Sequence, residues 1–243
     1  MPIFRLPEKN SFPPPHFAAP NGLLAVGGDL SEKRLIAAYR KGIFPWYSKG
    51  DPVLWWSPDP RMVLYPQAFR ISRSLRRTIS REVFTVTSDT AFKQVICACA
   101  RVRQNCDEET WITDEMIDAY CRLFSSGYAH SIEAWKDGDL VGGLYGVAIG
   151  GVFFGESMFT RVANASKVAL AALCNYLSGL SFDMIDCQVA TAHLRSLGAV
   201  EIPRKRFLEK LLISIQRPTI RGDWDIAACN RHRGLSASQV QVF

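Results

Sequence analysis

The chain has 243 residues, enough for one large domain or two unequal ones. Apolar residues at 48% and charged residues at 21% exclude a disordered or low-complexity protein. Twenty-nine Lys and Arg against 23 acids leave a net charge of +6, which permits a nucleic-acid partner without requiring one.

Met1–Phe12 has no continuous apolar core, so no signal peptide is expected. The longest uncharged stretch, Leu140–Gly155, is too short and too rich in glycine for a membrane span. The seven cysteines (97, 99, 106, 121, 174, 187 and 229) are odd in number and mostly set among apolar residues. They read as reduced thiols of a cytoplasmic protein. Cys97 and Cys99 are separated by one residue and no second pair follows, so no metal site is expected.

The segment to Pro60 is rich in Pro, Gly and Trp. A short apolar run, Leu23–Val26, lies between turn signals at Asn21-Gly22 and Gly27-Gly28. Ser31-Glu32 opens a helix that runs through Tyr39 and stops at Lys41-Gly42. A small N-terminal domain is expected over 1–61 and a catalytic domain over 62–243. Met62–Tyr65 reads as a strand. Ile71, Leu75 and Ile79 recur every four residues as one helix face. Arg70, Arg73, Arg77 and Arg81 fall on the other face, as a phosphate-binding stripe or a solvated surface.

Phe84–Thr87 is expected as a strand and Thr90–Arg103 as a helix capped by Ser88 or Asp89. Thr113 caps the next helix, which ends at Gly127. Ala129–Lys136, Leu140–Ala148 and Val152–Phe159 are expected as strands, the last two a hairpin around Gly150-Gly151. A helix follows, capped by Asn164 or Ser166 and running through Leu177. Then come a strand at Phe182–Ala190, a helix at Thr191–Leu197, a strand at Ala199–Ile202, and a helix or strand at Phe207–Ile215. The tail from Arg217 has no period and is expected to be loosely held.

This order suggests an α/β (α+β) chain: a small N-terminal α/β domain, then a mixed-sheet domain resembling the Gcn5-related N-acetyltransferases. In that fold a glycine-rich loop cradles the coenzyme A pyrophosphate. The corresponding piece, Phe159–Lys167, has no glycine, so coenzyme A is not the expected donor. No P-loop or dinucleotide fingerprint is present, and no cofactor is expected.

On the strand Asp183–Val189, Ile185, Cys187 and Val189 alternate with Met184, Asp186 and Gln188. Asp186 and Gln188 are then expected about 7 Å apart on one face. Polar groups on a buried strand are costly unless satisfied or used, which leaves two readings: a structural network, or a carboxylate and an amide lining a cleft. Glu156 interrupts another apolar run. It is placed to receive a cationic or hydroxyl group of a ligand, or to pair with Arg161. No Ser-His-Asp arrangement is defensible.

Several runs carry a more specific resemblance: Pro20–Leu30, Arg40–Trp46, Leu54–Arg61, Thr110–Thr113, Ala129–Glu133, Leu140–Val147, Gly155–Phe159, Asn164–Lys167 and Ile185–Gln188. In order from Pro20 to Arg204, the chain resembles the bacterial leucyl/phenylalanyl-tRNA–protein transferases. The resemblance implies an aminoacyltransferase that moves leucine or phenylalanine, and methionine less well, from charged tRNA to a protein beginning with Arg or Lys. The product is marked for N-degron degradation, and the activated ester makes ATP unnecessary. The resemblance also implies catalytic roles for Asp186 and Gln188, and an aminoacyl-adenosine site at Trp46, Trp111, Leu144, Phe153, Glu156 and Met158. Arg70, Arg73 and Arg77 are the candidate tRNA contacts. A cytoplasmic monomer without a membrane partner is expected. Asp186 is either a general base or a positioning group, with the ribose 2′ hydroxyl carrying the proton in the second case. The rival readings are a non-catalytic binder of tRNA 3′ ends and an N-acyltransferase with another activated donor.

Overall fold

A computed structural model describes residues 3–8, 10–104 and 111–226. Two sheets organise the chain. The smaller is built from β1 (Phe4–Arg5), β2 (Leu23–Val26), β3 (Phe44–Pro45) and β4 (Leu54–Trp56), in the order β1-β2-β4-β3. Helix α1 (Glu32–Tyr39) lies between β2 and β3 and buries Leu35, Ala38 and Tyr39. Trp55 of β4 is fully buried and donates its indole N–H to the Gly27 carbonyl at 2.8 Å.

The larger sheet begins with β5 (Arg61–Leu64). Then follow α2 (Arg73–Ser80), β6 (Thr85–Ser88), α3 (Phe92–Gln104), α4 (Asp114–Ser125), β7 (Ala129–Lys136), β8 (Asp139–Ile149) and β9 (Val152–Thr160). The chain continues through α5 (Ala165–Gly179), β10 (Met184–Gln188), α6 (Ala192–Ser196), β11 (Val200–Ile202) and α7 (Arg204–Ser214). The strand order is β11-β5-β10-β9-β8-β7-β6. In this sheet β9 and β10 pair in parallel, through the α5 crossover, and the other pairs are antiparallel. This is the mixed α+β architecture expected from the sequence. One core cluster joins α1 and the small sheet to α3, α4 and the sheet face that carries Tyr145 and Phe154. The other gathers α2, α5 and the opposite face.

Glycines set how closely the layers approach. A Cβ on Gly142 would lie 2.5 Å from Ala165 Cβ, so α5 rests directly on β8 at that point. A Cβ on Gly146 would lie 2.6 Å from the Phe153 ring, which occupies that space. Helix starts follow their capping residues: the Ser72, Thr113 and Thr191 hydroxyls accept from Leu75, Met116 and Leu194 main-chain N–H groups.

Several expectations are corrected. Helix α2 starts at Arg73, so Arg70 and Ile71 precede it, and the Arg70 N–H is tied to the Leu197 carbonyl at 2.9 Å. Asp89 does not cap α3. It accepts from Ser131 and Trp224 main-chain N–H groups and meets His130 Nδ1 at 2.8 Å. Residues 217–226 of the expected tail are held, not loose, and the remainder of that tail lies outside the described residues. Trp224 is 3% exposed and stacks on His130 at 3.8 Å, and Ile226 is fully buried. The segment at Phe207 is a helix. Cys97, Cys99, Cys121, Cys174 and Cys187 are free thiols, and Cys106 and Cys229 lie outside the described residues. Among the described residues, no helix is long and apolar enough to cross a membrane.

Candidate active site

The pairing of β9 with β10 ends at Asp186↔Phe154. Beyond that point β9 continues along β8, while Gln188 pairs with Met62 of β5 after a register shift. The two parallel strands part, and a cleft of about 500 Å³ opens between them. Trp46, Trp111, Leu144, Phe153, Glu156, Met158 and Gln188, seven of the expected site residues, all line it. Leu170 and Leu173 of α5 and Ile185 of β10 extend the apolar part. At the mouth, Trp46 is 42% exposed and its ring lies 5.7 Å from that of Trp56, whose indole N–H is bonded to the Trp46 carbonyl.

Asp186 is not part of this lining. It is fully buried, and Arg61 reaches both its oxygens, Nε to Oδ1 at 2.8 Å and Nη2 to Oδ2 at 2.7 Å. Oδ1 also accepts the Gln188 main-chain N–H at 2.9 Å. That bond closes an Asx turn, and Gln188 takes a left-handed φ of 63°. The turn breaks the strand alternation that would have put Asp186 and Gln188 on one face. The Gln188 side chain enters the cleft while the Asp186 carboxylate stays behind it.

The Gln188 amide donates to Glu156 Oε1 at 3.0 Å. Tyr39 donates to the same oxygen at 2.7 Å and Tyr120 to Oε2 at 2.9 Å. The two phenol oxygens are themselves 2.5 Å apart. Three oxygen–oxygen contacts therefore share two phenolic protons. A proton on Glu156 would complete the ring, since Oε2 would then donate to Tyr120 and free the Tyr120 hydrogen for Tyr39. Burial has the same consequence, lifting the Glu156 pKa from 4.5 to about 7; the Asp186 charge adds to the rise and the bonds from Tyr39, Tyr120 and Gln188 oppose it. Burial and the Glu156 charge raise both phenols well above their ordinary value. The expected alternative, pairing with Arg161, does not occur: Arg161 lies over Phe159 and donates to the Leu140 carbonyl.

Arg73 and Arg77 are exposed on α2, with Arg70 exposed just before it. None of the three forms an ion pair among the described residues. They lie outside the cleft, but α2 packs on α5, and Asn164 beside the start of α5 donates to Thr78 at 3.2 Å. Sequence reasoning missed Arg61, Tyr39, Tyr120 and His193. His193 lines the cleft rim, where burial and the Lys167 charge lower its pKa. Arg61 is a single charge at a strand start, after a run of prolines and tryptophans, and carries no local mark of its distant partner Asp186. Tyr39 and Tyr120 occupy buried positions of α1 and α4, and nothing local in the sequence marks their hydroxyls as partners of Glu156.

A parting of parallel strands in a mixed sheet, over an apolar pocket with a carboxyl in its lining, accords with the acyltransferase class expected from the sequence. Residues 63–212 match the leucyl/phenylalanyl-tRNA protein transferase family, and residues 28–59 match the N-terminal domain of the same family. The chain is 55% identical over 224 residues to the leucyl/phenylalanyl-tRNA–protein transferase of Desulforapulum autotrophicum, covering 92% of this chain and 98% of that one. It is 55% identical to the protein of that name from Desulfatibacillum aliphaticivorans, with 95% and 99% covered. For that of Syntrophobacter fumaroxidans the identity is 56%, with 94% and 98% covered. The chain belongs to the leucyl/phenylalanyl-tRNA protein transferase family.

Proposed function

We propose that the protein transfers leucine or phenylalanine, and methionine less well, from charged tRNA to the N-terminal Arg or Lys of acceptor proteins. The new peptide bond marks the acceptor for N-degron degradation, and the reaction belongs in the cytoplasm. The observation that carries this reading is the family match over nearly the whole chain, joined to a cleft whose depth is apolar and whose floor is Glu156 with Gln188.

The donor side chain fills the space among Leu144, Phe153 and Met158. A β-branched side chain meets the walls, and a polar one loses its hydrogen bonds. Trp46 and Trp111 offer ring faces to the terminal adenine. Glu156 receives the α-ammonium of the donor; that charge favours the ionised carboxyl, so binding displaces the proton of the tyrosine ring. The amine of the acceptor attacks the ester carbonyl, a C–N bond forms, and the C–O bond to the ribose breaks. One proton leaves the amine and one reaches the 3′ oxygen. Gln188 orients the reacting groups from within the cleft, and Asp186 acts through Gln188, not on the substrate. The protein thus supplies mainly position, and the ribose 2′ hydroxyl carries the proton. Arg70, Arg73 and Arg77 contact acceptor-stem phosphates.

The test is transfer of labelled leucine from charged tRNA to a protein beginning with Arg, without ATP. Transfer of leucine and phenylalanine but not valine is expected. Tight binding of charged tRNA with no transfer would leave only a tRNA 3′-end binder.

A further inference from the structure

We propose that Arg61 is a positioning residue for acyl transfer: it clamps Asp186 so that the Asx turn at Gln188 holds the Gln188 amide on Glu156. This deepens the acyl-transfer reading above and rests on it.

Arg61 opens β5 on the far side of β10 from the β9 edge of the cleft. Its side chain is 1% exposed, with the guanidinium over Phe44 at 4.9 Å and Phe207 at 4.7 Å. Phe44 also lines the cleft. Two aromatic rings and a two-point grip on a carboxylate leave the arginine no alternative position. Its Nη1 is buried with no hydrogen-bond partner among the described residues. Stability alone is a poor reason to bury such a pair, because an apolar pair of the same volume often serves as well.

The grip has a use one step away. A left-handed backbone is unfavourable for a residue with a side chain and persists only where its surroundings enforce it. Two bonds bracket Gln188: Val189 N–H donates to the Cys187 carbonyl at 2.7 Å across the left-handed residue, and the Gln188 N–H donates to Asp186 Oδ1 at 2.9 Å, an oxygen that Arg61 Nε also fixes. If the carboxylate rotated, the turn would lose its acceptor. Only the Val189–Cys187 bond would then hold the left-handed residue, and the Gln188 backbone could relax toward the extended form and draw its side chain off Glu156. The chain of contacts runs from Arg61 to Asp186, to the Gln188 main chain, to the Gln188 amide, and to Glu156.

The experiment compares Arg61→Lys and Arg61→Met with the parent, alone and in an Asp186→Asn background. Lysine keeps the charge but cannot hold both oxygens. Methionine leaves a buried carboxylate unpaired and is the variant more prone to unfold. Single-turnover transfer should fall about tenfold for Arg61→Lys and about a hundredfold for a folded Arg61→Met, the range expected when reacting groups are misplaced by about 1 Å. The dissociation constant for charged tRNA should not change. In the Asp186→Asn background the same substitutions should add little, because both act through one turn. A crystal structure of Arg61→Lys should show residue 188 out of the left-handed region, or its amide off Glu156.

A parent-like rate in Arg61→Lys overturns the proposal. So does a loss carried in full onto the Asp186→Asn background, or a slowed variant whose Gln188 has not moved. Should the parent itself fail to transfer, the acyl-transfer reading falls, while the conformation of residue 188 still decides the role of Arg61.

Discussion

Glu156→Gln should stabilise the protein in mildly alkaline buffer and change nothing in acid. A glutamine at this place stands in for the protonated carboxyl: its amide would donate to Tyr120, whose hydroxyl now donates to Oε2, and its oxygen would accept from Tyr39 and Gln188 as Oε1 does now. The parent carboxyl has a folded value of about 7 against an ordinary 4.5. Below 4.5 both folded and unfolded chains hold the proton, and the group contributes no pH dependence. Between 4.5 and about 7 the unfolded chain releases it and the folded chain keeps it. Stability then falls with rising pH by about 1.4 kcal/mol per unit, to a total of ~3 kcal/mol, and stays at the lower level above that window. The glutamine has no such slope. Denaturation of parent and variant side by side, in steps across that window, reads the difference directly, since all other titrations cancel. A gap that opens from near zero in acid to about 3 kcal/mol at alkaline pH is expected. A gap that stays constant would mean that Glu156 titrates as an ordinary carboxyl and that the ring does not share its proton. The stabilised variant should also lose transfer, because an amide cannot receive the donor ammonium, a trade of activity for stability seen at many sites.

Asp186→Asn should slow single-turnover transfer while charged-tRNA binding holds; a loss much below the 10²–10⁴-fold typical of a positioned proton acceptor would favour the positional role, and an unchanged rate in a folded variant would remove Asp186 from the reaction. Phe153→Ala truncates a buried ring and should cost about 3–5 kcal/mol of stability. Its informative readout is therefore the leucine-to-valine transfer ratio, which should fall by roughly 1–3 kcal/mol in selectivity; an unchanged ratio would mean that Phe153 does not shape the pocket. Arg73→Ala with Arg77→Ala should weaken binding of all charged tRNAs alike and lower the salt slope by about one unit for each phosphate no longer neutralised, whereas unchanged binding and slope would reduce the stripe to a solvated face.

The regular elements were legible because their periods are local. Leu75 and Ile79 repeat at helical spacing, and Leu140–Ala148 with Val152–Phe159 straddle a glycine pair at a hairpin turn; both patterns appear in the structure within a residue or two. The segment 217–226 was not legible, for a physical reason. It has neither helical nor strand period, since it is held by single anchors: the Trp224 ring on His130, the Trp224 main-chain N–H on Asp89, and the Trp224 carbonyl on Ser88. A strap of this kind leaves almost no mark on a sequence, because one buried aromatic in a polar run resembles any exposed one. Asp89 shows the converse. Its type and place fit a helix cap, and the stronger claim of two main-chain N–H groups and an imidazole from elsewhere in the fold prevailed.

The same contrast governs the site. Polar residues on a buried strand drew attention to Asp186 and Gln188, and a carboxyl in an apolar run to Glu156, because the cost of burying such groups is visible in one dimension. The partners that meet the cost are not. Arg61 is 125 positions from Asp186 and Tyr39 is 117 from Glu156, distances at which no period or spacing carries information. The direction of each side chain depends on those partners. Alternation put Asp186 and Gln188 on one face, but once Arg61 captures the carboxylate, Oδ1 is in place to take the Gln188 N–H and the strand ends in a turn. A buried charge in a strand therefore marks where an ion pair must form, while the cleft-facing group is whichever neighbour that ion pair turns outward. Here that neighbour is the uncharged Gln188, which can enter a cleft at far lower desolvation cost than the aspartate behind it.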